Sequence, residues 1–263
     1  IALYLDRLID WDDYFRLRKG DAVDVAAERA ALRGVLETCA EICASLEPAS
    51  RAGWWQAATL EDGRVEPPAH VREGYEKLRD AGLVAFGISE RFGGFELPTT
   101  IANVILQMIS RADAALMTVM GLQAGVAEDI QRYAPEEICQ RYLPGFVSGE
   151  LQGAMDLTEP AAGSDLGAIS TRAVEDAGRF FLDGQKIFIT NGGAEIHLVL
   201  ARDAETFELS KGTTKGLSLF LCPRTLPDGS ANRVRVERLE HKLGIHGSPT
   251  AVVRFERAEA WRI

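Results

Sequence analysis

The spacing of apolar residues changes near residue 150, and this change constrains the fold more than any other feature of the sequence. Before that point, apolar side chains recur every three or four positions, which places them on one face of a helix. After it, short runs of alternating apolar and polar residues lie between glycines and aspartates, as half-buried strands do. The sequence therefore predicts an α+β protein, with an all-helical domain over residues 1–150 and an all-β domain over residues 151–263.

Aspartate and proline mark the predicted helix ends. Asp21 or Asp24 can cap the first long helix, because a carboxylate accepts hydrogen bonds from the free amides of a first turn. Pro48 is predicted to end that helix, since proline lacks an amide hydrogen and clashes with the preceding turn. Asp113 is predicted to cap a further helix and so to divide the apolar stretch around it.

Two aspartate-containing turns divide the predicted strands of the second half. Asp176-Ala177-Gly178 and Asp183-Gly184 each lie between two strand-like runs. Glycine after aspartate readily adopts the positive φ that a tight hairpin requires. We therefore expect a hairpin at each of these positions.

The composition excludes several classes of function. The chain has 263 residues and a formal net charge of -10, which opposes nucleic-acid binding because Lys and Arg supply most of that affinity. No apolar run approaches the roughly 20 residues that cross a bilayer, so no membrane span is expected. The four cysteines lack the spacing of a zinc site or of a disulfide framework. We interpret them as reduced thiols of a cytoplasmic protein.

The sequence indicates neither a targeting signal nor a metal site. Position 1 is Ile, and no charged and then apolar leader precedes the first helical pattern. His241 and His246 are five positions apart and lack a nearby Cys or acidic partner at ligand spacing. We therefore expect both histidines to be ordinary polar residues.

Two segments of the second half carry the strongest functional signal. Residues 157–166 read LTEPAAGSDL, and residues 185–193 read QKIFITNGG. The small residues at 161–164 let the main chain approach a flat ring or a pyrophosphate and direct several N–H groups at it. Taken alone, the first segment could be a capped turn, with Glu159 and Asp165 only satisfying backbone donors. The second alone could be an apolar strand that leads into a turn.

Together the two segments resemble the flavin-binding signature of the acyl-CoA dehydrogenase family. Residues 240–250 (EHKLGIHGSPT) strengthen the resemblance to this family, in particular to its larger bacterial members, and are assigned no contact role. The resemblance implies FAD as cofactor. Thr190 would hydrogen-bond near flavin N5, the atom that receives hydride, and Phe188 would pack on the isoalloxazine, where the commonest family pattern has Trp. Ser164 would also meet the acyl-CoA substrate. The implied FAD contacts are Met155, Leu157, Thr158, Gly163, Ser164, Phe188, Ile189 and Thr190.

The resemblance also implies an architecture and an activity. The second half would be an antiparallel β-barrel, and the family's C-terminal helical bundle, which holds its catalytic glutamate, is absent from this chain, so no catalytic residue is assigned. The intact protein would convert an acyl-CoA to the trans-enoyl-CoA in fatty acid metabolism, pass electrons to an electron-transfer flavoprotein and form a homo-oligomer. The alternatives are an acyl-CoA oxidase or another flavoprotein on the same scaffold, and a binding module without catalysis.

Overall fold

The computed structural model describes residues 6–7 and 9–263, in which a helical part is followed by a part made mostly of strands. The first five residues, on which the expectation about a leader depends, lie outside this range. The helices of the first part are α1 (Trp11–Lys19), α2 (Val25–Gly53), α3 (Ala69–Asp80), α4 (Thr99–Ala112), α5 (Ala114–Tyr133) and α6 (Glu136–Ser148). None of the helices in the described residues combines the length and hydropathy that a membrane crossing requires.

Both capping predictions are confirmed. Asp24 precedes α2, and its carboxylate accepts a hydrogen bond from the amide of Ala27 at 3.0 Å. Asp113 separates α4 from α5 and accepts hydrogen bonds from the amides of Ala115 and Leu116 at 2.9 and 3.0 Å. Each carboxylate thus satisfies amides that the helix leaves without a partner.

The prediction that Pro48 ends its helix is wrong, because α2 continues to Gly53. Pro48 is exposed, whereas Ser50 and Gly53 beyond it are buried. A Cβ atom at Gly53 would lie 2.8 Å from the ring of His70, so the end of α2 packs closely against the start of α3. Tertiary packing of this last turn outweighs the hydrogen bond that the proline removes.

The first part is also not entirely helical. Strands β1 (Thr59–Glu61) and β2 (Arg64–Glu66) form an antiparallel hairpin between α2 and α3. Its turn residues Asp62 and Gly63 both have positive φ, at 49° and 77°, as a two-residue hairpin turn requires. The prediction of an all-helical domain is therefore wrong at this hairpin. Its turn has the aspartate–glycine pattern that is typical of two-residue hairpins.

The second part is a closed sheet. Its strands are β3 (Gly153–Asp156), β4 (Arg172–Asp176), β5 (Arg179–Thr190), β6 (Ile196–Asp203), β7 (Leu217–Pro223), β8 (Val234–Leu239) and β9 (Thr250–Arg262), and the short helix α7 (Phe207–Ser210) lies between β6 and β7. The strand order is β3-β6-β4-β5-β9-β7, with β8 on β9. Additional pairing of β6 with β7 closes the sheet into a barrel.

The barrel is mixed rather than antiparallel, which corrects our expectation. Strand β6 runs parallel to β3, and its end runs parallel to the start of β4, while the other pairings of this sheet are antiparallel. Alternation of apolar and polar residues identifies a strand but is the same for both directions of pairing. The direction is set by the route of the chain, which completes the β4–β5 hairpin before β6 returns beside β3.

One of the two predicted hairpins is confirmed and the other is wrong. Asp176-Ala177-Gly178 joins β4 to β5, with φ of 51° at Ala177 and 77° at Gly178. Asp183 and Gly184 instead lie inside β5, at an irregularity in its pairing with β9. A Cβ atom at Gly184 would lie 2.8 Å from the Cα atom of Thr171, so glycine is needed here for close approach of two backbones.

Three apolar clusters fill the structure: one lies among α1–α5, a second fills the barrel, and a third joins the two parts. In the third cluster, Val126 and Ile130 of α5 and Phe146 of α6 pack with Leu198 and Leu221 of the barrel. This continuous apolar contact fixes the barrel against the helices. The domain division at residue 150 stays a prediction.

Candidate functional site

The structure brings the two signature segments side by side. The carbonyl oxygen of Thr158 accepts a hydrogen bond from the amide of Ile187 at 2.9 Å. The third segment joins them, because the amide of Asn191 donates to the carbonyl oxygen of Pro249 at 2.8 Å. Thr190 also pairs with Thr250 of β9. Three segments that are far apart in sequence therefore form one continuous surface.

A buried ion pair clamps the first two segments together. Lys186 of β5 and Glu159 have side chains that are 0% and 2% exposed, and Nζ of Lys186 lies 2.8 Å from Oε1 of Glu159. The same ammonium donates to the carbonyl oxygens of Leu157 at 2.9 Å and Leu200 at 2.7 Å. All three ammonium hydrogens thus have acceptors, which a buried charge requires.

Glu159 is ionised by its surroundings. Its carboxylate accepts hydrogen bonds from the amide and hydroxyl of Ser170, both at 2.7 Å, and from the amide of Thr171 at 3.0 Å. Burial opposes the charge, but Lys186 and these donors overcome it and lower the pKa of Glu159 to about 2. Burial lowers the pKa of Lys186, and the charge of Glu159 offsets part of that effect.

The segment between Glu159 and Ser164 is a tight loop, in which Ala162 is buried. Glu159 and Ala162 exchange two main-chain hydrogen bonds, of 2.9 and 3.0 Å. Gly163 and Ser164 beyond them are exposed, and a Cβ atom at Gly163 would meet nothing within 4 Å. Asp165 closes the loop by accepting from the amide of Gly167 at 2.9 Å. The open main chain leaves room for a flat ring or a pyrophosphate to approach, as the resemblance implies.

Arg202 holds the far side of this loop. The side chain is fully buried and donates to the carbonyl oxygens of Gly167 at 2.9 Å and Ile169 at 3.2 Å. It also donates to the carbonyl oxygens of Ser210, at the end of α7, and of Thr213 and Lys215 in the loop that follows. In the described part of the chain it has no carboxylate partner, so these main-chain oxygens and the hydroxyl of Ser210, at 3.0 Å, satisfy the guanidinium.

Phe188 has a strained backbone and an exposed ring. Its φ is 60°, in the left-handed region that an aromatic residue rarely adopts. Ile187 and Phe188 form a bulge in the pairing of β5 with β9, and bulges of this kind redirect side chains. The ring is 59% exposed and has no aromatic partner among the described residues. Such strain often occurs at binding sites, and here it turns an aromatic ring outward.

Three hydroxyl groups on this surface are free. Within residues 6–7 and 9–263, the hydroxyls of Thr158, Ser164 and Thr190 make no hydrogen bond to the protein. Thr158 and Thr190 are half-buried, and Ser164 is exposed. A hydroxyl donates one hydrogen bond and accepts two, so all three can bind a polar ligand. These groups fit the polar edge of a flavin.

Two of the predicted contact residues have side chains that point away from this surface. The side chain of Ile189 is 2% exposed and belongs to the apolar cluster of the barrel, so only its main chain can reach a ligand. Met155 is half-buried and packs against the cluster that joins barrel and helices. Leu157 is also half-buried, and its carbonyl oxygen is occupied by Lys186. The roles of all the predicted contact residues stay predictions.

Two features beside the site were not predicted from the sequence. The Glu159–Lys186 pair was not identified, because 27 positions separate its members. Asp156 and His197, which form a second buried pair at 3.0 Å, were not singled out either. Glu159 and Asp165 do satisfy backbone donors, as the structural interpretation of the first segment expected. Alternation gave no signal for the Asp156–His197 pair, because residues on both faces of β3 and β6 are buried.

The described residues contain no group of three or more His, Cys, Asp or Glu side chains arranged to hold a metal ion. The rings of His241 and His246 lie 6.1 Å apart, and that of His246 lies 6.2 Å from Trp54. These contacts place both histidines in a surface aromatic group.

Comparison with known proteins identifies the family. Residues 35–150 match the acyl-CoA dehydrogenase N-terminal domain, and residues 154–258 match the acyl-CoA dehydrogenase middle domain. The 3-methylmercaptopropionyl-CoA dehydrogenase of Ruegeria pomeroyi is 31% identical, over 100% of this chain and 45% of that protein. The chain therefore spans less than half the length of this relative.

Two solved structures share the fold. The electron transferring flavoprotein structure of Acidaminococcus fermentans contains a chain that is 26% identical, with a TM-score of 0.73 over 87% of this chain and 55% of that chain. The acyl-CoA dehydrogenase of Bacillus anthracis, solved in complex with FAD, is 23% identical, with a TM-score of 0.66 over 88% of this chain and 36% of that chain. The second likeness concerns the fold alone. The resemblance noted in the motifs is confirmed: the chain belongs to the acyl-CoA dehydrogenase family, of which it carries the N-terminal and middle domains.

Proposed function

We propose that the protein containing this chain oxidises an acyl-CoA thioester to the trans-enoyl-CoA with FAD as cofactor. The observation that carries the proposal is the joint surface of the signature segments, where three free hydroxyls and an outward-turned aromatic ring lie beside an open main-chain loop. Bound FAD would supply the hydride acceptor of the reaction. Membership of the family supports both the cofactor and the class of reaction.

The residues of this chain would bind and orient rather than transfer protons. The hydroxyls of Thr158 and Thr190 would hydrogen-bond the edge of the flavin ring, and the ring of Phe188 would cover one of its faces. The amides of Ala161, Gly163 and Ser164 would face the ribityl-pyrophosphate, where several N–H groups can stabilise negative charge, whereas the amide of Ala162 donates to the carbonyl oxygen of Glu159. Ser164 would contact both cofactor and substrate. The remaining proposed contacts are Met155, Leu157, Gly163 and the main chain of Ile189.

The catalytic base is proposed to lie outside this chain, since the chain spans 45% of its relative from Ruegeria. An electron-transfer flavoprotein is the proposed electron acceptor, which the similarity to a chain of the Acidaminococcus structure supports. We also expect a homo-oligomer in the cytoplasm. The four cysteines are free thiols, in keeping with a reducing compartment.

The test is the visible absorption spectrum of the full-length protein, recorded anaerobically before and after addition of saturated acyl-CoA thioesters of increasing chain length. Flavin bands that bleach on addition would support dehydrogenation, and reoxidation by an electron-transfer flavoprotein but not by oxygen would support the proposed acceptor. Rapid reoxidation by oxygen would identify an oxidase instead. A folded protein that binds no FAD would refute the cofactor assignment.

A further inference from the structure

A second buried pair lies directly before the first signature segment. Asp156 is the last residue of β3, and His197 lies on β6; both side chains are 0% exposed. Nδ1 of His197 lies 3.1 Å from Oδ1 and 3.0 Å from Oδ2 of Asp156. Since the carboxylate accepts, Nδ1 carries the hydrogen and donates to both oxygens.

The surroundings of this pair offer little other polar contact. Nε2 of His197 is buried without a hydrogen-bond partner among the described residues, and the ring meets Phe255 edge to face at 5.9 Å. Across the sheet His197 lies opposite Cys222, whose thiol donates to the carbonyl oxygen of Glu259 at 3.4 Å. The imidazole is therefore directed at Asp156 by the packing of its other faces.

Strand β3 needs such a contact because it is short and lies at the end of the sheet. It has four residues and pairs in parallel with β6 alone. A slip of one residue would turn every side chain of β3 to the opposite face, and a short strand specifies its register weakly through main-chain bonds. In the native register Asp156 lies opposite Val199, which is two positions from His197 on the same face of the sheet, and a one-residue slip would turn the carboxylate of Asp156 to the other face.

We propose that Asp156 and His197 are positioning residues for FAD: their hydrogen bonds fix the end of β3 and thereby the place where Leu157 and Thr158 begin the cofactor segment. This inference rests on the proposed function. The pair holds the residue just before the segment, whereas the ammonium of Lys186 holds the carbonyl oxygen of Leu157 and the amide of Ile187 holds that of Thr158. A well-packed apolar pair would stabilise the fold as well as a buried polar pair does. What the polar pair adds is therefore a fixed register of β3 against β6.

The decisive variant is D156L/H197L in the full-length protein, which replaces the whole pair by apolar side chains. We expect it to fold with a melting temperature within a few degrees of wild type, because removing both partners leaves no unpaired charge. Its FAD dissociation constant is expected to rise at least about tenfold, as when a partner that orients a ligating group is lost. D156N, which keeps an acceptor for Nδ1, is expected to retain FAD affinity within about threefold.

Leu182→Ala is the matched control. Leu182 is fully buried at the other end of β5, so its truncation lowers stability without touching the start of the segment. FAD affinity would be measured by fluorescence titration of the apoproteins, alongside thermal unfolding. Wild-type affinity in a folded D156L/H197L variant would overturn the positioning role, and so would an equal loss of affinity in L182A. If D156L/H197L does not fold, loss of affinity in a folded D156N protein would overturn it, and retention would support it. Absence of FAD binding in wild type would refute the proposed function itself.

Discussion

Lys186 is the side chain whose removal most directly tests how the cofactor surface is held together. Lys186→Met keeps much of the side-chain volume but removes the ammonium that joins Glu159 to the carbonyl oxygens of Leu157 and Leu200. The carboxylate of Glu159 would then be buried with hydrogen bonds from Ser170 and Thr171 only. A buried charge that has lost its partner destabilises the folded state.

The pKa of Glu159 gives the size of the effect. Its environment lowers the pKa from an ordinary value of 4.5 to about 2, a difference of about 2.5. At about 1.4 kcal/mol for each pKa unit, this corresponds to about 3 to 4 kcal/mol of folding free energy at neutral pH. Burial lowers the pKa of Lys186, so the pair as a whole contributes less than this. Because loss of one partner leaves the other charge buried and uncompensated, we expect Lys186→Met to lose about 3 kcal/mol, and E159Q/K186M to lose less.

The same shift fixes a pH window. Because the folded-state pKa of Glu159 lies below the unfolded value, its contribution is fully present above about pH 4.5 and is lost as pH falls through about 2. In Lys186→Met the pKa of Glu159 should rise, so the loss of stability on acidification should become smaller. Both effects have the same cause and must appear together.

The assay is urea unfolding of the full-length protein at several pH values, with the exposed Lys211→Met as control. Lys211→Met should match wild type throughout. A loss below about 1 kcal/mol in Lys186→Met, or an unchanged acid dependence, would refute the assignment of Glu159 as an ion-paired carboxylate.

Three further substitutions test other features of the fold. Phe188→Gly should keep the unfolding free energy or raise it by up to about 2 kcal/mol, because it relieves a positive φ at an exposed residue. The same variant should bind FAD more weakly. A loss of unfolding free energy above about 1 kcal/mol in urea would contradict this prediction. Gly184→Ala should destabilise the protein by at least about 2 kcal/mol in the same assay, since the new Cβ meets the backbone of Thr171 at 2.8 Å; a neutral result would mean that the strands separate easily. Pro48→Ala should raise the melting temperature and the unfolding free energy, because alanine is favoured over proline in a helix interior. The expected gain in unfolding free energy is about 2 kcal/mol, since proline also restricts the unfolded chain and its removal offsets part of the effect. A lower melting temperature would show that the helix needs the proline there.

Features encoded within a few residues were predictable from the sequence. Asp24 and Asp113 cap amides two or three positions away, so their role depends only on local spacing. The turn at Asp176-Ala177-Gly178 is equally local. The pairing of β3 with β6 was not predictable in this way, because its direction depends on where the intervening hairpin leaves the chain.

Gly184 and Gly178 illustrate the limit of a local signal. Both follow an aspartate closely, and both lie between strand-like runs. Gly178 has a φ of 77° and turns the chain, whereas Gly184 makes room for the backbone of Thr171, thirteen positions earlier. Nothing within the neighbouring residues distinguishes these two uses of glycine, since the second depends on a partner strand.

The same limit divides the residues of the candidate site. Side chains proposed to meet the cofactor, such as Thr158 and Thr190, have no protein partner for their hydroxyls among the described residues, so a motif can identify them without knowledge of the fold. Side chains that hold those segments are identified only by their partners: Lys186 by Glu159, and His197 by Asp156, 41 positions away. A ligand-binding motif thus identifies the residues that face the ligand. The buried charged residues that fix the geometry of those segments are identified only once the pairing of the strands is known. For this reason D156L/H197L and Lys186→Met test the buried contacts of the structure, which the motif alone does not identify.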